Sequence, residues 1–427
     1  MAAQIPRKGA RTAIRRIGRT RLLVFLALIG PGLITANSDN DAGGITTWSV
    51  AGAHYGYSLL WVLLLITPIL AVTQEMGARM GAVTGKGLAA LIRERFSLKV
   101  TAFAMLCMLI ANFGTTVAEF SGVAAGSSLF HVPSWVGVPL VAFAVWVLIT
   151  RGSYWRVEKV FLFLCTIYVT YIIAGVLAHP DWHAAARGTF VPSVTWNATW
   201  LLTVIAAIGT TITPWGQFFI QATVVDKKIS VRNYIYTKVE VFFGAFLTDA
   251  IDFFIVIACA ATLWKGHILV NTAQDAARAL GPLAGNFAHI LFAIGLLNVS
   301  ILAAGILPLA TAYAICEAFG FEGGLDSSFS EAPIFNGLLT AFIFVPALVA
   351  IIPGLPLIKV MLLSQDVNGI LLPVILIYVL KVINDRSVMG EHVNGPIYNS
   401  IAWTFSILLI GLSVILVGSS LPLPFGL

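Results

Sequence analysis

A hydrophobic segment near the start of the chain is interrupted by Leu33-Ile34-Thr35-Ala36-Asn37-Ser38-Asp39-Asn40-Asp41-Ala42-Gly43-Gly44. A segment in the second half is interrupted by Ile208-Gly209-Thr210-Thr211-Ile212-Thr213-Pro214-Trp215-Gly216-Gln217. A charged side chain costs roughly 2.5–3.5 kcal/mol at the centre of a membrane helix, so such groups normally face protein or water. Paired broken helices are typical of a transporter's substrate site. The two stretches therefore predict a membrane transporter that binds its substrate between them.

The composition indicates a polytopic membrane protein. The chain has 427 residues, of which 59% are hydrophobic and 10% are charged. Its mean hydropathy is +0.93. We attribute the formal net charge of +6 to residues that set membrane topology, and we expect no nucleic-acid partner. The four cysteines stand singly, at no metal-ligand spacing, so no disulfide framework is predicted.

The chain is predicted to be all-α. Because a span needs about 20 apolar residues, eleven spans are expected, at 22–53, 57–80, 100–127, 133–150, 157–178, 199–225, 240–263, 286–315, 334–352, 357–382 and 397–418. The interruptions fall in the first and sixth spans, as an inverted repeat of five plus five helices with the LeuT-like fold requires. This divides the chain into a basic N-terminal segment (1–21), a transport core (22–390), and an eleventh span with a short tail (391–427).

Basic residues predict the orientation in the membrane. They cluster before the first span and in alternate connections after it, at Arg7, Lys8, Arg11, Arg15, Arg16, Arg19, Arg21, Lys86, Arg93, Arg95, Lys99, Arg151, Arg156, Lys159, Lys227, Lys228, Arg232 and Lys238. The positive-inside rule then places the N-terminus in the cytoplasm and the C-terminus outside, in a bacterial inner membrane. We expect a monomer.

The side chains at the two interruptions offer only oxygen ligands. The first has carboxylates and an amide, and the second has hydroxyls and backbone carbonyls freed by a proline: Asp39, Asn40, Asp41, Thr210, Thr211, Thr213 and Pro214. Unwound backbone inside a bilayer is tolerated where it lines a cavity or meets a ligand. Hard divalent cations such as Mg²⁺ and Mn²⁺ prefer oxygen. The expected partners are therefore divalent metal ions and the lipid bilayer, with no cofactor.

More acids occur at membrane depth, in spans three, seven and ten: Glu119, Asp249, Asp252 and Asp366. Basic residues are nearly absent at the same depth. Either several acids are protonated, or they face water and a mobile cation balances their charge. For Asp249 and Asp252, the wall of a solvated vestibule remains an alternative to a role along the ion's path. An intramembrane aspartyl protease, with Asp41 and Asp252 paired, lacks the glycine-rich active-site context, so an enzyme is not expected.

Several stretches resemble the NRAMP divalent-metal transporters. They are Gly52-Ala53-His54-Tyr55-Gly56-Tyr57-Ser58-Leu59-Leu60-Trp61-Val62, Gly81-Ala82-Val83-Thr84-Gly85-Lys86-Gly87-Leu88-Ala89, Arg93-Glu94-Arg95-Phe96, Ala118-Glu119-Phe120, Leu363-Ser364-Gln365 and Asp385-Arg386-Ser387-Val388-Met389-Gly390. The resemblance runs from about residue 24 to 390. It implies a broken-helix inverted-repeat fold with the metal held between spans one and six, and Gln365 matches a metal-site glutamine in part of the family.

The chain departs from the family's motifs at several positions. Asp-Pro-Gly-Asn falls on Asp41-Ala42-Gly43-Gly44 without a gap, while a two-residue gap would place Asp39 first. Ala-x-x-Met-Pro-His falls on Thr210-Thr211-Ile212-Thr213-Pro214-Trp215, so Thr213 replaces the thioether and Trp215 the histidine associated with proton movement. The second acid of span three becomes Thr116, and 334–352 holds no arginine.

These departures resemble the divergent NRAMP-related magnesium transporters. Fewer soft ligands and smaller side chains suit Mg²⁺, which sheds its waters reluctantly. We expect Mg²⁺ uptake, with Mn²⁺ also accepted, by alternating access and with weak or no proton coupling. The predicted metal site is Asp41, Gly44, Thr210, Thr213 and Gln365. The residues expected around it or along the path are Asp39, Asn40, Glu119, Trp215, Asp249 and Asp252. The alternatives are a proton-coupled Mn²⁺/Fe²⁺ symporter, an amino-acid or amine carrier, and an ion channel.

Overall fold

The computed structural model describes residues 40–151, 169–281, 285, 288–324 and 327–420, which are almost entirely helical and contain no strand. The helices are α1 (Ala42–Tyr55), α2 (Leu60–Thr84), α3 (Leu88–Arg95), α4 (Leu98–Leu129), α5 (Ser134–Arg151), α6 (Val169–Leu177), α7 (Trp182–Phe190), α8 (Ala198–Thr211), α9 (Pro214–Asp226), α10 (Tyr234–Cys259), α11 (Ala273–Ala277), α12 (Ala288–Phe319), α13 (Pro333–Ala350), α14 (Leu357–Ile383), α15 (Arg386–Met389) and α16 (Pro396–Ser420). A π-helical turn continues α10 over Ala260–Trp264.

The predicted all-α membrane architecture is confirmed. Within the described residues, nine helices are long and apolar enough to cross a membrane, with α8 and α9 counted together. They correspond to the predicted spans two to four and six to eleven. Span one is described only from α1 and span five only from α6. The rest of both spans, the segment 1–21 and Asp39 lie outside the described residues.

The short helices α3 and α7, which lie between spans, are among those that were not predicted. Helix α3 has eight residues and ends in Arg93-Glu94-Arg95, so it is too short and too polar for a rule based on spans. Helix α7 is capped by Asp181, the residue before it, whose carboxylate accepts from the N–H groups of His183 and Ala184 at 3.0 Å. These backbone hydrogen bonds lower the pKa of the exposed Asp181 carboxyl.

The sixth span is broken at two residues, where the sequence predicts a break. Helix α8 ends at Thr211, Ile212 and Thr213 have extended or irregular backbone, and α9 begins at Pro214. Proline fits the first position of a helix because its missing N–H would be unpaired there in any case. The Thr213 hydroxyl caps α9 by accepting from Gly216 N at 3.2 Å. Carbonyls at the end of α8 are therefore left outside the helical ladder.

Glycines bring α8 and α14 into direct backbone contact. A Cβ atom at Gly209 would overlap the carbonyl oxygen of Gln365 and the backbone of Gly369. A Cβ atom at Gly369 would in turn overlap the carbonyl oxygen of Ile205. A larger residue at either position would force the two helices apart. This contact sets the end of α8, and hence the second break, beside Gln365.

A buried carboxylate connects helices at one end of the bundle. Glu75 on α2 is 2% exposed and accepts a hydrogen bond from the Tyr234 hydroxyl on α10. Arg79 Nη2 lies 3.2 Å from Glu75 Oε2, and Lys238 Nζ lies 4.0 Å from Glu75 Oε1. Arg79 also donates to Asn394, just before α16. The network ties α2, α10 and the start of α16 together.

Candidate functional site

Asp41 lies immediately before α1, in the interior of the bundle. It is fully buried, and its Oδ1 accepts from Gly44 N at 2.6 Å, which caps the helix. Gln365 Nε2 on α14 lies 3.5 Å from the same oxygen. Asp41 Oδ2 has no hydrogen-bond partner among the described residues. One carboxylate oxygen is therefore available to a ligand at the positively polarised end of a helix.

Glu119 approaches the same helix end from α4. Its Oε2 accepts from Ala42 N at 3.2 Å, next to Asp41 in the chain. Its Oε1 finds no donor within the part of the chain that the structure describes. Two buried carboxylates thus converge on the N-terminus of α1, each with one oxygen unused.

The second break contributes neutral groups. Thr210 is fully buried, and its hydroxyl has no hydrogen-bond partner in the described ranges. Thr213 is also buried, and its hydroxyl caps α9. Trp215 is fully buried, belongs to an apolar cluster with Phe120 and Leu307, and lies 6.1 Å from the Phe219 ring, centroid to centroid. It therefore places an apolar ring, whose indole N–H has no hydrogen-bond partner among the described residues, where the family motif has a histidine.

Gln365 lies between the two breaks. Its side chain occupies the space over Gly43, where a Cβ atom would overlap the amide, and its backbone touches Gly209. Gln365 therefore contacts the first turn of α1, beside Asp41 and Gly44, and the last turn of α8, which carries Thr210; Thr213 follows two residues after the end of α8. Gly44 lies in the first turn of α1, where its N–H is taken by Asp41.

Asn40 connects the first break to α10. Its carboxamide contacts the Asp252 carboxylate, while its nitrogen donates to Thr248 O on α10 at 3.3 Å. Turning the amide over would instead place the nitrogen 2.6 Å from Oδ1 and 3.2 Å from Oδ2 of Asp252. Asp252 is therefore linked to Asp41 through Asn40, which precedes Asp41 in the chain and contacts the Asp252 side chain. Asp249, three residues before Asp252, is 4% exposed and lines a groove of about 780 Å³ between α2, α10 and α16. The two aspartates of α10 thus differ: one contacts the break and the other faces the groove.

Four acids lie buried around the breaks: Asp41, Glu119, Asp249 and Asp252. None of them forms an ion pair with a Lys, Arg or His of the described residues. Within the described part of the chain, no group of three or more His, Cys, Asp or Glu side chains is arranged to hold a metal. A cation bound here could therefore be coordinated by no more than two carboxylates at the same time. Its other ligands would be amide, hydroxyl, carbonyl and water oxygens.

The sequence reasoning missed the partners of Gln365. Asn368 Nδ2 donates to Gln365 Oε1 at 2.9 Å and to Thr115 Oγ1 at 2.9 Å. All three side chains are fully buried. Their spacing in the sequence could have indicated them. Asn368 follows Gln365 by one helical turn and Thr115 precedes Glu119 by one turn, so each shares a helix face with a predicted residue.

These features define an α-helical membrane transporter with a broken-helix site, and comparisons with known proteins give its family. Residues 32–419 match the family described as natural resistance-associated macrophage protein-like, Nramp. A protein of Acidiphilium cryptum named divalent metal cation transporter MntH is 29% identical over 426 residues, covering 96% of each chain.

Solved structures share the fold. The manganese transporter of Eremococcus coleocola, in complex with an aromatic bis-isothiourea compound, superimposes with a TM-score of 0.77 at 20% identity, covering 91% of this chain and 86% of that one. Mhp1, a nucleobase-cation-symport-1 family transporter, has a TM-score of 0.59 at 14% identity, covering 91% and 90%. The chain belongs to the Nramp family of transporters and has the predicted LeuT-like fold; it is not an enzyme.

Proposed function

We propose that this protein carries Mg²⁺, and also Mn²⁺, into the cell across a bacterial inner membrane by alternating access, with weak or no proton coupling. The observation that carries the proposal is the unused Oδ2 of Asp41 at the buried N-terminus of α1, next to the unused Oε1 of Glu119, counted over the described residues. Uncompensated carboxylates at this depth are costly, and a divalent cation would balance them.

Asp41 is the anchoring carboxylate. Thr210, Thr213 and Gln365 supply neutral oxygens, directly or through water, and Gly44 leaves room for water because it has no side chain. The buried, unpaired hydroxyl of Thr210, which has no partner within the described ranges, supports this assignment. Glu119 adds a second negative charge near Ala42.

The preference for Mg²⁺ rests on the absence of soft ligands at the breaks. Thr213 stands where a methionine occurs in the family motif, and its hydroxyl is a hard oxygen donor. The Met361 sulfur accepts from the Thr46 hydroxyl at 3.5 Å, more than one helical turn along α1 from Asp41. Mg²⁺ keeps several waters and needs few protein ligands, whereas thioethers favour softer metals. The names of the relatives support a divalent metal as the substrate class.

Weak proton coupling rests on the groups around the site. Trp215 packs within an apolar cluster, and the Thr116 hydroxyl donates to Asn112 O at 2.7 Å. Neither side chain is titratable, so neither can carry a coupled proton. The membrane potential supplies about 2.3 kcal/mol per charge per 100 mV, which is roughly 4.6 kcal/mol for a divalent ion. Inward transport needs no proton gradient under these conditions.

The test is Mg²⁺ uptake into proteoliposomes, recorded together with the internal pH, for the wild type and Asp41→Asn. Asparagine retains the helix cap and removes the charge, so the fold is preserved. We expect Mg²⁺ uptake without acidification, and a loss of Mg²⁺ affinity of more than about 100-fold in Asp41→Asn. Glu391→Gln, at an exposed position after α15, is the control and should behave as the wild type. Wild-type affinity in Asp41→Asn would refute the site.

A proton-coupled Mn²⁺/Fe²⁺ symporter is the second candidate. It is favoured by Glu119, a buried carboxylate whose Oε1 lacks a donor among the described residues and which contacts the metal-binding end of α1. That function predicts acidification of the liposome interior driven by Mn²⁺, and its loss in Glu119→Gln. Mn²⁺ uptake at constant internal pH would exclude it.

A further inference from the structure

We infer that Asn368 and Thr115 are positioning residues, which hold the Gln365 carboxamide with its nitrogen toward Asp41 and thereby stabilise the metal-free site. The inference rests on the proposed function, because it concerns how the same site returns across the membrane without a cation. Neither residue is predicted by the sequence motifs, and neither contacts Asp41 directly.

The hydrogen bonds define one orientation of the amide. The Thr115 hydroxyl has a single proton. Donated to Ala111 O at 2.9 Å, it leaves Oγ1 to accept from Asn368 Nδ2 at 2.9 Å, whereas the longer contact to Asn368 Oδ1, at 3.2 Å, would need the same proton. Asn368 uses the two protons of Nδ2 on Thr115 and on Gln365 Oε1, both at 2.9 Å. Because Oε1 of Gln365 is occupied, its Nε2 must point the other way.

That nitrogen faces the anchoring carboxylate. Gln365 Nε2 lies 3.5 Å from Asp41 Oδ1, in the space left by the missing side chain of Gly43. The contact is long, and it places an N–H dipole, rather than an oxygen, beside the buried carboxylate. It partly replaces the cation in the empty site.

Metal binding requires the opposite orientation. A cation at Asp41 is repelled by an N–H group and attracted by the amide oxygen, so Gln365 must reverse its amide to become a ligand. The reversal costs the hydrogen bond from Asn368. If the Asn368 amide also turns, its oxygen faces Thr115 Oγ1, and the Thr115 hydroxyl must give up its hydrogen bond to Ala111 O to donate to it. The pair therefore lowers the affinity for the metal and stabilises the empty site by the same amount.

This balance matters for a carrier without a coupled proton. After releasing the cation, the carrier must return with its carboxylates uncompensated, and net uptake is limited by that step. Exchange of a cation on one side of the membrane for a cation on the other does not require the empty carrier to return. Weakening the Asn368 network should therefore slow net uptake relative to exchange.

The test uses Asn368→Leu and Thr115→Val, each similar in size to the original side chain, with Asn112→Leu as the matched control. Asn112 is an equally buried asparagine of α4 whose Nδ2 donates to Thr311 Oγ1 on α12, at 2.8 Å, and not to Gln365. Mg²⁺ affinity is measured by calorimetry on the purified proteins. Net uptake and exchange of isotopically labelled Mg²⁺ are then measured in the same proteoliposomes.

For Asn368→Leu we expect Mg²⁺ to bind about two- to tenfold more tightly, the range of one neutral hydrogen bond, and the ratio of net uptake to exchange to fall by a similar factor. Thr115→Val should change the Mg²⁺ affinity and the ratio of net uptake to exchange in the same directions, but by less. Asn112→Leu should change neither quantity. Unchanged or weaker binding in Asn368→Leu, or an equal fall in net uptake and exchange, would overturn the inference. A wild type that does not bind Mg²⁺ would instead refute the proposed function.

Discussion

Replacing Gly209 by alanine tests how the second break is positioned. The added Cβ would overlap the carbonyl oxygen of Gln365 and lie 2.8 Å from the Cα atom of Gly369. Both neighbours are backbone atoms, so no side chain can rotate away. Since carbon atoms pack at about 3.5–4.0 Å, α8 and α14 must separate by roughly 1 Å.

The expected cost follows from two opposing effects. Overpacking a close contact costs about 1–3 kcal/mol, and replacing glycine by alanine within a helix returns about 0.5–1 kcal/mol. We therefore expect a net loss of roughly 1–2 kcal/mol in stability. Mg²⁺ affinity should fall as well, because Thr210 moves away from Gln365.

The measurements are the melting temperature in detergent and the Mg²⁺ dissociation constant by calorimetry. Gly337→Ala in α13 is the matched control, because a Cβ atom there meets nothing within 4 Å; it should melt at or slightly above the wild-type temperature. If Gly209→Ala melts as high as Gly337→Ala and binds Mg²⁺ equally well, the helices are not held together by this backbone contact and the reasoning fails.

Three further predictions concern other parts of the molecule. Thr213→Met should lower the dissociation constant of Cd²⁺ relative to that of Mg²⁺ by roughly tenfold, because a thioether favours soft metals; an unchanged preference in competition binding would remove the argument from the missing methionine. Tyr234→Phe should cost about 1.5–3 kcal/mol in stability by removing a hydrogen bond to the buried carboxylate of Glu75, and Tyr236→Phe on the same helix should cost less, as thermal melting would reveal. The Asp181 carboxylate should cap α7 only while it is ionised, because its pKa is lowered in the folded protein. Its contribution to the stability of α7 is therefore complete above the usual carboxyl pKa and is lost as the pH falls through the lowered value. The protection factor of the Ala184 amide, which is the intrinsic exchange rate divided by the observed rate at the same pH, should then fall on acidification. An Asp181→Asn variant whose protection responds to pH as the wild type's does would contradict this.

Much of the fold was predictable because the bilayer imposes simple rules. A span must be long and apolar, so the helices α2, α4, α5, α10, α12, α13, α14 and α16 follow from hydropathy. The break at Ile212–Thr213 was also predictable, since Pro214 lacks the N–H that would continue α8. Helices α3 and α7 were missed because both are short and partly polar, so packing and a cap, rather than hydropathy, decide them.

The sequence by itself determined the composition of the site: carboxylates, hydroxyls and a glutamine at membrane depth, without sulfur at either break. These identities are local, and their cost in lipid makes them visible in a single chain. Only the tertiary structure decided how they meet. Glu119 reaches the N–H of Ala42 across 77 positions, Asn40 contacts Asp252 on α10, and Asn368 fixes the amide of Gln365. Such contacts depend on where glycines let helices approach and on which way each face turns, and no local pattern in the chain encodes either.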